Sequence, residues 1–251
     1  MKIINKEPDA SVNVSKVHHG IRVFQILGGL CVLLIGIYVL LGFAVRLVVP
    51  YVPASLENQL GQMIKSTLPI TEHTELESYE AILTKLIGAD EAENYDVFVI
   101  SNTEFNAYAV PGKKIAICTG MTEEGMDEET IAFVLAHELG HFENHDHMNQ
   151  YGRMLVLTMM VQIVTGSDSD LTNFATGLLA TTEMKFSQND ELKADAYGVQ
   201  LLNDAYGSYE GAITLFNKVD DIQDRSQLQS YFDSHPHPEK RIEAIVELME
   251  E

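Results

Sequence analysis

An uncharged stretch near the N-terminus most constrains how this 251-residue chain can fold. The 23 residues between Arg22 and Arg46 include no Asp, Glu, Lys or Arg, and Leu, Ile, Val and Gly predominate among them. A helix of about 20 such residues crosses the hydrocarbon core of a bilayer. A cleaved secretory signal would be shorter and would end at a small-residue cleavage site. We therefore predict one transmembrane helix over residues 23–49.

Charge predicts the orientation of this helix and limits the partners of the chain. Residues 1–22 contain four basic and two acidic side chains, whereas the whole chain has a net charge of −21. Because basic flanks stay in the cytoplasm, we expect a cytoplasmic tail over residues 1–22. Residues 50–251 then form one domain on the periplasmic or extracellular side of the cell membrane. So acidic a domain repels phosphate backbones, which excludes nucleic acid as an expected partner.

Residues 130–147 carry a metal-binding motif. They contain the sequence HELGH, with His137 and His141 four residues apart, and six apolar residues before it predict a buried helix. Residues four apart share one face of a helix, so both imidazoles can bind a single ion with Glu138 beside it. Histidines buried with a carboxylate need such a partner. The motif predicts a hydrolase that uses one Zn²⁺ per chain.

Two residues compete as the third protein ligand that a catalytic zinc requires. His147 has the third-histidine spacing of the HExxHxxGxxH pattern, with Asn144 in the place of the glycine. Glu191 lies on a later predicted helix, and Asp195, four residues on, can accept a hydrogen bond from a ligating imidazole. Alternatively, the two acidic residues belong to a solvated helix face. The residues alone leave this choice open.

The remaining patterns predict a helix-rich α+β domain with a small antiparallel sheet. Gly88 is expected to end the second helix, and a Pro-Gly turn at residues 111–114 is expected to join two strands into a hairpin. A strand edge beside a metal site can hold an extended peptide, so Asn106, Ala107 and Tyr108 are candidate substrate-binding residues. The expected helices and strands cover residues 55–64, 74–87, 97–100, 106–110 and 115–119.

Two more apolar runs follow the motif helix, at residues 154–164 and 171–180. The first has 11 residues, which is too short to span a membrane. We interpret the pair as a buried helical hairpin near the active site, and the alternative is a pair that dips into the bilayer. Near the C-terminus, the sequence SHPHP around His235 predicts an extended loop before an amphipathic helix.

Three ordered motifs resemble a known family. HELGH is followed by ELKADAYG, with Glu191 and Asp195 in ExxAD spacing, and then by SHPHPEKRI, with an arginine six residues after His235. Their order and separations resemble those of the CAAX prenyl protease and HtpX-like family of membrane-associated zinc endopeptidases. The resemblance covers about residues 106–245. Because the chain has one convincing span, it is similar to single-anchor rather than multi-spanning relatives.

The resemblance implies a helix-rich, zincin-like metalloprotease domain and assigns its site residues. Glu138 is implied to be the catalytic base and Asp195 a support for a ligating histidine. In related single-anchor sequences an Asp-His pair also follows the motif helix, which favours a structural role for His147. The implied zinc ligands are His137, His141 and Glu191.

Together these features predict a membrane-anchored zinc endopeptidase that cleaves proteins or peptides in quality control or processing. His235 is a candidate for stabilising the oxyanion or for filling the fourth metal position. A structural role at the start of the C-terminal helix is the alternative for this histidine. A different class also fits, namely a membrane-anchored chaperone or scaffold that holds zinc in a closed four-ligand site with little turnover.

Overall fold

The structure of the protein is a computed structural model that describes residues 19–123, 126–166, 186–220, 229–236 and 238–250. The first half of the chain forms α1 (His19–Val48), a 3₁₀ turn (Val49–Tyr51), α2 (Ala54–Thr67), β1 (Ile70–Thr71), α3 (Leu76–Ile87), α4 (Ala89–Ala92), β2 (Asp96–Ile100), β3 (Ala107–Val110), β4 (Lys114–Cys118) and α5 (Gly120–Glu123). The second half forms α6 (Glu128–Glu143), α7 (Asp146–Thr165), α8 (Gln188–Tyr206), α9 (Glu210–Asp220), α10 (Gln229–Ser234) and α11 (Pro238–Glu250). The architecture is the expected helix-rich α+β fold.

Helix α1 has the properties of the predicted transmembrane helix. It is 30 residues long, and its most apolar part has no residue buried against the rest of the protein. Among the described residues, one helical segment, Gly20–Tyr51, is long and apolar enough to cross a membrane, and α1 makes up most of it. Water disfavours so large an exposed apolar surface, so this surface suits a lipid environment.

The sheet has four strands in the order β1-β2-β4-β3, which leaves β3 at an edge. The predicted hairpin is confirmed, since β3 and β4 pair antiparallel across a turn in which Gly112 and Lys113 have positive φ. The expectation of a wholly antiparallel sheet is wrong, because β2 and β4 are parallel. Between β2 and β3 the chain crosses to the outer edge of the sheet. The β3–β4 hairpin then places β4 beside β2, and these two strands run in the same direction.

Helix α6 lies at the centre of the core. It contacts α3, α8, α9 and β3, and its residues from Ala132 to His141 are buried. Its N-cap is Asp127, whose side chain accepts a hydrogen bond from the Thr130 amide. The end of α3 at Gly88, where φ is 80°, is confirmed.

The prediction of a buried hairpin is wrong for its first half. Residues 154–164 belong to α7, which continues past the core and packs along α1, with Gly152 against Val45. In this part of α7, Leu155, Met159 and Ile163 are 55%, 52% and 83% exposed. The second run, residues 171–180, lies outside the described residues. A pair that enters the bilayer therefore stays a prediction.

Candidate metal centre

Four buried side chains meet beside α6 and could hold one metal ion. Their ligand atoms all lie within 4.8 Å of one another. Helix α6 contributes His137 and His141 on one face, α8 contributes Glu191, and the loop after α10 contributes His235. None of the four is more than 1% exposed. Residues almost a hundred positions apart in the chain are thus brought to one point.

The distances within this cluster fit one tetrahedral ion. His137 Nε2 lies 3.1 Å from both His141 Nε2 and His235 Nδ1, and His235 Nδ1 lies 3.2 Å from Glu191 Oε1. The Glu191 oxygens lie 3.5 Å from His137 Nε2 and 3.6 Å from His141 Nε2. Zinc bonds of about 2.0–2.1 Å place tetrahedral ligands about 3.3 Å apart. Three imidazoles and a carboxylate are also donors that zinc prefers.

The outer nitrogens of the motif histidines contact carboxylates. His137 Nδ1 lies 2.8 Å from Asp195 Oδ1, and His141 Nδ1 lies 3.2 Å from Asp146 Oδ2. An imidazole that donates from Nδ1 presents an unprotonated Nε2, so these contacts fix the tautomer that binds metal. Burial opposes the ionisation of Asp195, but the Arg241 guanidinium beside it keeps its pKa below the usual range.

Arg241 is the cation of this buried network. It is fully buried and donates from Nε and Nη2 to the two Asp195 oxygens at 2.6 and 2.7 Å. Its Nη1 donates to the His235 carbonyl oxygen at 3.0 Å and lies 2.8 Å from Glu191 Oε2, although that contact lacks hydrogen-bond geometry. One arginine therefore joins the segments that carry two of the four clustered residues, Glu191 and His235.

Burial keeps the imidazoles neutral and disfavours ionisation of the carboxyl groups. It lowers the pKa of His137, His141 and His235 to about 3, and the charge of Arg241 acts in the same direction. Burial also raises the pKa of Glu191, against the effect of Arg241. Metal ions bind the neutral imidazole, so the three rings are in the ligating form at neutral pH.

Glu138 lies against both the cluster and the edge strand. Its Oε2 accepts a hydrogen bond from the Ala109 amide of β3 at 2.8 Å, and its Oε1 lies 3.5 Å from His235 Nε2. Oε1 has no hydrogen-bond partner in the described part of the chain. Burial and the nearby Glu191 raise the pKa of Glu138 well above its usual value. A carboxyl group in this environment is able to accept and release a proton.

A comparison with protein families agrees with this arrangement. The profile of peptidase family M48 matches residues 72–249, most of the chain. The chain belongs to peptidase family M48. The match includes every residue of the metal cluster and the edge strand β3.

Individual M48 relatives show more distant similarity. Mitochondrial metalloendopeptidase OMA1 of Schizosaccharomyces pombe is 26% identical over 163 residues, which cover 62% of this chain and 47% of OMA1. Metalloprotease LoiP of Escherichia coli is 28% identical over 165 residues, 62% of each chain. The β-barrel assembly-enhancing protease of E. coli is 28% identical over 160 residues, 59% of this chain and 33% of the relative. The chain thus spans less than two thirds of each of these relatives.

His147 lies outside the metal cluster of this M48 chain. Its Nδ1 lies 3.2 Å from the His141 carbonyl oxygen and its Nε2 lies 3.1 Å from Glu57 Oε1 on α2. Asn144, in the glycine place of the HExxHxxGxxH pattern, has φ −84°, and the left-handed residue is instead His145 with φ 56°. Both ring nitrogens of His147 thus have protein partners at the corner between α6 and α7.

The predicted substrate residues lie at the edge of the sheet. Asn106 and Ala107 are buried and Tyr108 is half-buried, and Ala107 and Tyr108 line a small pocket with Glu138. The amides of Ala107 and Ala109 do not pair with β4. Instead, Asn106 Oδ1 accepts the first at 2.9 Å and Glu138 Oε2 accepts the second at 2.8 Å.

Sequence reasoning missed several residues of the site. The sequence motif around His235 includes Arg241 but predicts no role for it. Asp146 is predicted only as the partner of His147 in an Asp-His pair. Nothing marked Phe186, whose ring stacks on His141 with centroids 3.7 Å apart. Nor did any pattern mark Glu57. A six-residue spacing from His235 was the one available signal for Arg241, whereas the partners of Phe186 and Glu57 are distant in sequence.

Proposed function

We propose that the chain is a membrane-anchored, zinc-dependent endopeptidase. The observation that carries the proposal is the buried tetrahedral cluster with Glu138 beside it, in a chain of peptidase family M48. The proposed domains are a tail over residues 1–22, an anchor over residues 23–49 and a metalloendopeptidase domain over residues 50–251. The exposed apolar surface of α1 supports the anchor, and the excess of basic residues before it supports a cytoplasmic tail.

In the proposed site, His137, His141 and Glu191 hold the zinc, and Asp195 orients His137. When bound, zinc polarises a peptide carbonyl and acidifies water near neutrality. Glu138 takes the proton of the attacking water and delivers it to the leaving amine. Its unpartnered Oε1 and its raised pKa support this role.

The structure has features of a resting conformation. If His235 Nδ1 joined the other three ligand atoms, a tetrahedral ion would have no open position for water. The amides of Ala107 and Ala109 are engaged by Asn106 and Glu138 rather than exposed to a peptide. We propose that a substrate displaces His235, which then lies close enough to the site to stabilise the oxyanion. Asn106, Ala107 and Tyr108 then bind the substrate backbone.

Hydrolysis of casein by the full-length protein in detergent tests the proposed activity. We expect hydrolysis to stop with a zinc chelator and to return when zinc is added. Metal analysis of Glu191→Ala and His147→Ala tests the ligand assignment. We expect only Glu191→Ala to lose zinc, and loss of zinc in His147→Ala alone would overturn the assignment.

Proteins are the proposed substrates, in quality control or processing. Two relatives support this class, since one is a β-barrel assembly-enhancing protease and the other is a mitochondrial metalloendopeptidase. The proposed location is the cell membrane, with the catalytic domain on the extracytoplasmic side. Nucleic acid is not a proposed partner because the chain carries a net charge of −21.

The closed set of four ligands favours a second candidate, a zinc-holding chaperone or scaffold with little turnover. A structural zinc site uses four protein ligands, whereas a catalytic site keeps one position open. The His235→Ala variant separates the two functions. If His235 only blocks the site, zinc stays bound and casein hydrolysis does not fall to zero. If His235 belongs to a structural site, the His235→Ala variant binds zinc less tightly, and neither the variant nor the original protein cleaves casein.

A further inference from the structure

One buried amide in the pocket beside Glu138 has no partner. Gln150 lies in the first part of α7, is only 3% exposed, and its Nε2 has no hydrogen-bond partner among the described residues. Nearly all buried polar groups in folded proteins are paired, because an unpaired donor loses its hydrogen bonds to water without compensation. An unpaired buried donor beside the proposed active site therefore indicates that a ligand supplies the missing hydrogen-bond acceptor.

The position of Gln150 indicates what this ligand is. Its side chain lines the same small pocket as Ala107, Ala109, Glu138 and His235. This pocket lies between the metal cluster and the edge strand β3, where the scissile peptide of the proposed reaction has to lie. Glu138, a proposed proton acceptor, and His235, a member of the metal cluster, already have roles there. Gln150 supplies a neutral N–H donor that the reaction does not otherwise use.

We infer that Gln150 binds substrate by donating a hydrogen bond from its terminal amide to a main-chain carbonyl oxygen of an extended peptide. This inference rests on the proposed endopeptidase function. Main-chain carbonyls are the acceptors common to all peptides, so the contact serves affinity rather than side-chain selectivity. Because the contact forms equally in the bound substrate and during reaction, its loss raises KM and leaves kcat nearly unchanged.

The test is Gln150→Met in the full-length protein, a substitution that keeps the length of the side chain and removes the amide. We expect KM for an extended fluorogenic peptide to rise about two- to tenfold, as for the loss of one hydrogen bond. We expect kcat within about twofold of the original value. The thermal unfolding temperature should stay the same or rise, because an unpaired buried donor is removed. Gln162→Met, at an exposed position on the same helix, is the matched control and should change none of these values.

A structural role for Gln150 gives a different result. If the amide serves the fold, for example through a buried water, Gln150→Met lowers the unfolding temperature and leaves KM unchanged, and the inference is wrong. A fall in kcat at unchanged KM also contradicts it. Binding of the same peptide in the Glu138→Gln background separates this inference from the proposed function. If no protein cleaves the peptide but Gln150→Met weakens its binding, only the endopeptidase assignment fails. Equal binding with and without Gln150 overturns the inference even if the protein is an active peptidase.

Discussion

At the scale of single residues, Arg241 determines how many carboxylates this site can bury. Glu191 and Asp195 lie one turn apart on the same face of α8, and both are at most 1% exposed. Arg241 contacts both. The Asp195 pair is bidentate, the geometry that suits a guanidinium. Without this cation, the buried Asp195 carboxylate would lose the guanidinium that offsets its charge.

Arg241→Ala should therefore lower the free energy of unfolding by about 3–5 kcal/mol, as expected for breaking a buried ion pair. Arg241→Lys should lower it less, since it keeps the charge but not the fork of donors. Denaturant unfolding in detergent measures both. Lys240→Ala is the control, because the neighbouring lysine makes an exposed contact to Gln188. Equal unfolding curves for Arg241→Ala and Lys240→Ala would refute the proposed role of Arg241.

Glu57 gives a prediction about pH. Its hydrogen bond with His147 lowers its pKa to about 2 from 4.5, despite partial burial, and the Gly112 amide acts in the same direction. A carboxyl whose pKa is depressed by folding stabilises the protein above its unfolded pKa and loses this contribution as the pH falls toward the folded value. The stability advantage over Glu57→Gln should therefore be full above about pH 5 and shrink as the pH falls from about 4.5 toward 2.

Unfolding free energies measured from pH 6 to pH 3 check this prediction. Glu80→Gln, on the exposed face of α3, is the control and should show no such trend. Loss of metal at acidic pH affects the original protein and both variants alike. A difference between the original protein and Glu57→Gln that does not vary with pH would contradict the account.

At the scale of secondary structure, close packing of α6 against α8 brings the proposed metal ligands together. Gly140, inside the HELGH motif, faces α8 so closely that a Cβ atom would lie 2.7 Å from the Ala194 Cα atom. Gly198 lies against the backbone of His137 in a similar way. The two glycines let Glu191 reach the histidines of the neighbouring helix. The fourth position of the motif thus has a packing function in addition to the chemistry of its ends.

Gly140→Ala should push α8 away from α6 and weaken zinc binding by about tenfold, since ligand orientation is disturbed. Overpacking should also cost about 1–3 kcal/mol of stability. Zinc retained against increasing chelator measures the first effect. Gly36→Ala in α1, where a Cβ atom meets nothing within 4 Å, should retain zinc as the original protein does. Unchanged zinc retention in Gly140→Ala would show that the close contact is not needed.

The end of the anchor and the helix that follows it contact the surroundings of the site at two points. Arg46, at the end of α1, donates to Asp190 at 3.0 Å, and Asp190 is the N3 residue of the capping box that Ser187 begins at the start of α8, the helix that carries Glu191. Glu57 on α2 contacts His147 and the Gly112 amide of the β3–β4 turn. Helix α8, which carries Glu191, is thus fixed to the end of α1, and the β3–β4 turn is fixed to α2.

At the scale of the whole molecule, local signals in the sequence predicted much of the fold. The stop at Gly88 and the hairpin at Gly112 depend on the backbone preferences of a few adjacent residues, and each is found where it was expected. Spacing within one helix likewise placed His137 and His141 on a common face. Such features can be predicted because their causes lie within one turn of the chain.

Long-range features could not be predicted in this way. The parallel pairing of β2 with β4, the contact of His235 with the motif helix and the exposure of α7 depend on how separate elements pack. His147 shows the difference well, because its spacing fits a metal ligand while tertiary contacts direct its ring to Glu57. Resemblance to a family supplied the Glu191 assignment that spacing alone left open.

Orientation in the membrane is a prediction for the whole chain. Single cysteines at Ser11 in the tail and Ser78 on α3, in a background without Cys31 and Cys118, can be labelled in intact cells with an impermeant maleimide. We expect Ser78→Cys to be labelled and Ser11→Cys to be protected until the cells are opened, because basic residues precede the span. Labelling of Ser11→Cys alone would reverse the proposed orientation.

The most direct test of the account is the Glu138→Gln variant. Glu138 is not among the proposed ligands, so the variant should keep one zinc per chain and the fold of the original protein. Removing a general base typically slows a reaction by about 10²–10⁴-fold, and we expect casein hydrolysis to fall by this factor. A variant that holds zinc and cleaves casein at the original rate would contradict the proposed mechanism.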